Sequence, residues 1–283
     1  MKVTFWGVRG FVPVPGRDTS VYGGNTICLG IKGDQGTNLA IDAGTGITNM
    51  GSSLMNKEFS RGEGNFSMII THTHYDHIQG FPFFVPAMIK GNNIKIYGSN
   101  LCEKSLENVL ENHLTPIFSP MQTLRNFNAN ISFSRLEPGK STKIGNFQLE
   151  VTELAHKVDW ALGLKLEGIQ GSLGYAANVT YQKPADFKKA IEFFTGVDVL
   201  IHDATSTRLY DQIIVGDHSQ DARDAVKIAG ESGVKKLYLT HFHHTYTDET
   251  LEQLLELTKK RSDEMGYKEL DLSLAREGNS FIL

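Results

Sequence analysis

The densest chemistry in this 283-residue sequence lies in His72-Thr73-His74-Tyr75-Asp76-His77, where three imidazoles and a carboxylate fall within six residues. The apolar run Met68-Ile69-Ile70 leads straight into it. Imidazole nitrogen combined with carboxylate oxygen suits zinc, and also manganese or iron. Strand alternation would aim His72 and His74 to one side, with Asp76 and His77 presented by the turn that follows. Four ligand-type residues at the end of a buried strand are hard to explain as an ordinary polar loop. A catalytic metal site needs ligands from elsewhere in the chain as well. The candidates are His156 ending "VTELAH", His218 in "GDHSQDA" and His241 ending "LYLTH".

The elements that must position these residues follow from apolar periodicity. "KVTFWGV", "TICLGIK", "NLAIDAG" and "FSMIIT" read as strands, and a Gly/Pro-rich loop separates the first two. Ile47, Met50 and Leu54 predict a helix after "IDAGTG". Residues 78–130 read as mostly helical and irregular, with a helix over "NLCEKSLENVLENHL" that places Leu101, Leu106, Val109 and Leu110 on one face. "ISFSRL", "TKIGNFQLEVTEL", "WALGLKLEG" and "GSLGYAANV" are the next strands. From Pro184 the pattern becomes strand–helix. "PADFKKAIEFF" is a helix with Pro at its start, "VDVLIHDAT" and "KKLYLTH" are strands, and "HSQDARDAVKIAGESG" is a helix capped by Ser219 and Gly233. A last amphipathic helix begins at Asp248. The order predicts two sheets packed face to face with helices outside. No linker or composition break divides the chain, so a single domain over 1–283 is expected.

Composition narrows the function. Hydrophobic residues make up 40% and charged residues 21%, enough for a real core, and the net charge is −4. The usual basic footprint of a protein that grips long nucleic acid is missing. Two cysteines, Cys28 and Cys102, make no disulfide framework. No signal-peptide core or membrane-spanning run is read, so a cytoplasmic protein with no membrane partner is the expectation.

"THTHYDH" resembles the HxHxDH signature of the metallo-β-lactamase fold. "IDAGTG", His156, "IHDAT", "DHSQ" and "LTH" occur in the order of its phosphodiesterase branch, which includes tRNA 3′-processing ribonucleases and cyclic-phosphate hydrolases. The opening "WGVRGFVPVPG…YGGNT" is similar to that branch too. The resemblance implies an α/β fold, the αββα sandwich of two mixed β-sheets with outer helices. It implies two divalent metal ions, zinc first and manganese as the other candidate. His72, His74 and His156 would hold one ion. Asp76, His77 and His241 would hold the other, with Asp76 also in a catalytic role. Asp42 and Asp203 would stand behind the ligands, and His218 would act as an acid or as a partner of a phosphate oxygen. A homodimer is also implied.

The same resemblance expects an aspartate bridging both ions, in a context like "Y-A-T-D-T". The matching stretch here is Tyr175-Ala176-Ala177-Asn178, so a neutral amide stands at that position. Asn178 reads as a trapping substitution, as a natural weakened site, or as the mark of a protein that binds without turning over. Asp159 and Asp203 are the nearest other carboxylates, but Asp203 belongs to "IHDAT", which matches a different motif.

Two metals suit in-line hydrolysis of a phosphodiester. The tRNA-processing relatives insert a long arm between the third histidine motif and the bridging aspartate. Here only residues 157–177, a plain pair of strands, separate His156 from Asn178. A small phosphodiester, a cyclic nucleotide first, is therefore the expected substrate. A thioester or lactone hydrolase and an inert nucleotide-binding protein are the alternatives. Arg9, Asn25, His243 and His244 are candidates to line the pocket, and Phe11 makes its rim more apolar than in relatives, with room to stack a base.

Overall fold

In the computed structural model, which describes residues 1–56, 58–99, 104–117, 119, 123–156, 160–205 and 222–283, strands alternate faces so that successive side chains enter different cores. The first six are β1 (Lys2–Gly7), β2 (Cys28–Lys32), β3 (Asn38–Ile41), β4 (Asn65–Ile70), β5 (Asn93–Gly98) and β6 (Asn130–Arg135). The next seven are β7 (Ser141–Ile144), β8 (Phe147–Ala155), β9 (Trp160–Glu167), β10 (Ser172–Ala176), β11 (Val199–Asp203), β12 (Lys236–Thr240) and β13 (Asp271–Leu274). The last strand, β14 (Ser280–Ile282), returns to pair with β1. Two seven-stranded sheets result, in the orders β14-β1-β2-β3-β4-β5-β6 and β13-β12-β11-β10-β9-β8-β7.

Each sheet is mixed. In the first, β3 to β6 run parallel, and in the second, β10 to β13 do. Strand β4 shows why its sequence is almost uniformly apolar. Ile69 joins the core that includes both sheets' facing residues, while Met68 and Ile70 join the core on the other face, so both sides are buried. That outer core lies under α1 (Gly46–Leu54) and packs Ile47, Phe81 and Phe84. A one-turn helix α2 (Tyr75–Ile78) follows β4, and α3 (Leu106–His113) follows β5. Helices α4 (Pro184–Phe194), α5 (Ala222–Glu231) and α6 (Asp248–Glu264) contribute Phe194, Val226 and Leu251 to the core shared with the second sheet. This is the α/β sandwich that the periodicity predicts.

Several elements differ from the sequence reading. Strand β5 lies inside the stretch read as helical and irregular; its "NIKIYG" buries Ile94 and Ile96 on one face and Tyr97 on the other, a short signal beside its irregular neighbours. Strands β13 and β14 are four and three residues long, below the length at which alternation is legible. "TKIGNFQLEVTEL" is a hairpin, β7 to β8, turned at Gly145 with φ +57°. Helix α3 starts at Leu106, where Ser105 caps it by accepting a hydrogen bond from the Asn108 amide; Leu101 lies outside the described residues, as does Ser219, the expected cap of α5. Gly233, with φ +72°, follows the end of α5 as expected.

The site residues collect at one rim because the parallel strands end there. Asp42 follows β3, Thr71 follows β4, His156 follows β8, Asn178 follows β10, Asp203 ends β11 and His241 follows β12. The segment after β1 stitches the sheets together at that rim: Phe242 N donates to Val8 O at 2.9 Å and Gly10 N to Phe242 O at 2.9 Å. Glycine is required where β3 meets α2, since a Cβ on Gly44 would overlap the carbonyl oxygen of Asp76. Gly44→Ala should therefore destabilise the protein by about 1–3 kcal/mol. It should also lower metal content, because the intruding methyl pushes on α2; denaturant midpoints and metal analysis of the purified variant check both.

Candidate metal centre

The turn after β4 aims the first ligands, and it does so differently from a strand. β4 ends at Ile70, so His72 and His74 lie beyond it. His74 sits at the N-terminal boundary of α2 with extended φ −62° and ψ 154°, and Asp76 and His77 lie on that single helical turn. The alternation expected to aim His72 and His74 is thus replaced by a tight turn. It is held by Ala43 N donating to His77 O at 2.7 Å and Gly80 N to Ala43 O at 2.9 Å.

Two groups of three emerge, each with ligand atoms within 4.8 Å of one another: His72, His74 and His156, and Asp76, His77 and His241. In the first, ring centroids stand 4.0 Å apart for His72 and His74 and 4.7 Å for His72 and His156. In the second, His241 Nε2 is 2.9 Å from Asp76 Oδ2, and the His77 and His241 rings are 5.2 Å apart. His72 and His77 rings, 5.8 Å apart, join the groups.

Carboxylates behind the ligands set their orientation. Asp42 Oδ2 is 3.0 Å from His77 Nδ1. Asp42 is fully buried and also accepts hydrogen bonds from Thr71 N at 2.9 Å, the Thr71 hydroxyl, and the Tyr175 hydroxyl at 2.8 Å. Asp203 Oδ2 is 3.2 Å from His241 Nδ1, and the Thr205 hydroxyl contacts that nitrogen at 2.7 Å while donating to Asp203 Oδ1. Such partners fix tautomer and ring orientation in metal sites. Asp42 and Asp203 stand beside His77 and His241 respectively. Thr71, Tyr175 and Thr205 were not singled out in the sequence, since hydroxyls carry no metal-ligand pattern; their one signal is a place inside the motifs "THTHYDH", "YAAN" and "IHDAT".

The electrostatics separate the groups. Burial, followed by the neighbouring His77, His74 and His156, pushes His72 down to about 2, so its ring stays neutral and open to a metal. Burial works against ionisation of Asp76, but His77, His241 and the Phe11 N–H, which donates to Oδ2 at 2.9 Å, outweigh it and hold the carboxylate well below the usual range. Burial likewise opposes a charged His241, yet Asp203 and Asp76 raise it to about 10. The carboxylates therefore favour positive charge at the second group.

A metal fits the donors present. Both ring nitrogens of His72 and Nε2 of His77 are buried with no hydrogen-bond partner. Leaving such groups unsatisfied costs about 1–3 kcal/mol each, and a divalent ion at their meeting point would satisfy them. Backbone strain marks the same place. Among the described residues, the non-glycine positions with positive φ are Phe11 (67°), Asp42 (62°), Asn178 (56°) and His241 (58°), and such strain clusters at functional sites.

Asn178 touches the first group and the carboxylate that stands behind His241. Its side-chain nitrogen is 3.0 Å from His74 Nδ1, and its backbone N–H donates to Asp203 Oδ2 at 2.6 Å. His218 and Asp159 lie outside the described residues. Arg9 is fully buried, and its guanidinium donates to the carbonyls of Gly23 at 2.7 Å and Tyr246 at 2.6 Å. Asn25 is tied to Glu277 at 3.0 Å and accepts from the Thr45 hydroxyl at 3.0 Å. Both hold the loop 9–25 in place. His243 and His244 stack at 4.2 Å, with the ring of Phe11 edge-on to each at 5.1 and 5.7 Å, beside the second group.

A model of the β-lactamase superfamily domain matches residues 37–242. The chain is 25% identical to a ribonuclease Z from Thermoplasma acidophilum, across 96% of this chain and 95% of that protein. Among solved structures it is similar to the metallo-β-lactamase fold protein YhfI from Bacillus subtilis, with a TM-score of 0.67, 18% identity and 99% of each chain covered. It is also similar to Zn²⁺-bound PqqB from Methylobacterium extorquens, with a TM-score of 0.67, 11% identity and 100% of each chain covered. These two likenesses show the fold. Asp203→Asn should weaken divalent-metal affinity by about 10–100-fold, read by competition with a chromogenic chelator, while circular dichroism shows the fold retained.

Proposed function

This chain belongs to the metallo-β-lactamase superfamily, and on that premise we propose that it is a metal-dependent phosphodiesterase acting on a small phosphodiester, a cyclic nucleotide first, with zinc as the metal. The observation that carries the reading is the convergence of two three-residue ligand groups on one rim, each backed by the sandwich core. Divalent ions bound there would polarise a phosphoryl oxygen and acidify the attacking water. The chain's own residues do the positioning. Asp42 orients His77, Asp203 and Thr205 orient His241, and the Phe11 N–H holds Asp76. His218 enters as an acid or phosphate-oxygen partner through the resemblance alone.

A relative supports phosphodiester chemistry, and features of the chain itself favour a small substrate. A relative over nearly the whole chain is a ribonuclease Z. Between His156 and Asn178 the described residues form β9 and β10, paired antiparallel from Ser172–Glu167 to Tyr175–Leu164, in place of a protruding arm. The net charge of −4 also argues against a grip on long nucleic acid. The half-exposed ring of Phe11 and the stacked pair His243 and His244 offer an aromatic surface for a base next to the metal ligands. The second reading, a protein that binds a nucleotide without hydrolysing it, is favoured by one observation: the neutral Asn178 beside His74.

A panel of 3′,5′- and 2′,3′-cyclic nucleotides, bis-p-nitrophenyl phosphate, an acyl thioester, a lactone and a tRNA precursor tests the proposal on zinc-loaded protein. Turnover of the phosphodiesters with the cyclic nucleotides preferred is expected. Preference for thioester, lactone or tRNA overturns it, and tight nucleotide binding without turnover supports the second reading. Phe11→Gly keeps the N–H that holds Asp76 and suits the positive φ. It should raise KM for a cyclic nucleotide about 5–100-fold, with kcat and the KM of base-free ribose cyclic phosphate little changed.

A further inference from the structure

We infer that the centre is electrostatically unequal: one divalent ion is held tightly by Asp76, His77 and His241, and a second is held weakly by His72, His74 and His156, because Asn178 supplies no charge between them. The inference concerns metal loading alone and does not depend on the substrate proposed above.

The distribution of carboxylates carries it. The Asp76 group contains one carboxylate as a ligand, and two more stand directly behind its histidines, Asp42 on His77 at 3.0 Å and Asp203 on His241 at 3.2 Å. All three are buried, where charge is weakly screened. A dication there meets compensating charge from the Asp76 carboxylate beside it and from a carboxylate behind each histidine.

The other group, among the described residues, is three imidazoles with no carboxylate. Its nearest side chain from the second sheet's β10 end is Asn178, whose amide touches His74 at 3.0 Å. An amide offers a carbonyl oxygen or an N–H, and no negative charge in either orientation. Three imidazoles bind a single zinc ion well. The difficulty arises only once the first group is filled, since a second dication must then approach the first with no carboxylate shared between them. A carboxylate at residue 178 would remove that asymmetry, because its backbone already sits at the junction of the two groups through its N–H to Asp203.

The test is a metal titration, with no substrate present. Chelator-stripped protein is titrated with zinc against a chromogenic chelator, and with cobalt(II) followed by its visible absorption. Two steps are expected, the first at least about tenfold tighter than the second. At one equivalent of zinc, anomalous diffraction should place the ion at Asp76, His77 and His241. His74→Ala, altering an exposed side chain, should keep the tight step and lose the weak one. Asn178→Asp should bring the second step towards the first. Two equivalent steps in the wild type, a single equivalent found at the three histidines, or an Asn178→Asp protein whose second step does not move would each overturn the inference.

Discussion

The buried carboxylate of Asp42 is the constraint on which the rest of the centre depends. It follows β3 in the first sheet, accepts hydrogen bonds from Thr71 beyond β4 and from the Tyr175 hydroxyl of the second sheet, and stands 3.0 Å from His77 Nδ1 on the one-turn helix. One anion thus ties both sheets and a metal-ligand histidine to a single point. Burying such a charge is costly unless it is paired and hydrogen-bonded. The left-handed backbone of Asp42 itself, with φ 62°, is tolerated because these partners over-determine it. The energy of folding is in this way spent on the geometry of the site.

The same logic extends outward. Parallel strands end together, so a residue just past one strand lies beside a residue just past the next. Asn178, Asp203 and His241 are neighbours for this reason although far apart in sequence. The segment after β1 closes the rim, with Arg9 anchored on the carbonyls of Gly23 and Tyr246 and the Phe11 N–H on Asp76. Gly10 is pressed against the His241 ring, where a Cβ would lie 2.8 Å from Cε1. The apolar cores supply rigidity, and the polar rim is assembled from their edges.

Charge is distributed unevenly across that rim. Carboxylates gather around Asp76, His77 and His241, and imidazoles alone make the other group. A bridging carboxylate would spread negative charge over both. With Asn178 at that position, the two halves differ in the charge placed around them.

The six ligand-type residues were legible in the sequence because their chemistry is rare and their spacing is short or lies at strand ends: "THTHYDH" by itself, then His156 and His241 where apolar runs stop. The long strands and the helices at Ile47, Pro184 and Asp248 were legible from periodicity for the same kind of reason, each burying a continuous face. The edge strands β13 and β14 were not, since three or four residues carry too little pattern, and neither was β5, an interior strand set among irregular segments. Neither was the fate of Arg9 and Asn25, polar residues whose partners are backbone carbonyls and side chains distant in the chain. The sequence by itself determined which atoms can bind a metal, because donor chemistry belongs to the residue. Only the tertiary structure decided which donors meet, which are buried without partners and which carboxylates stand behind them, because those depend on strands that come together only when the two sheets pack.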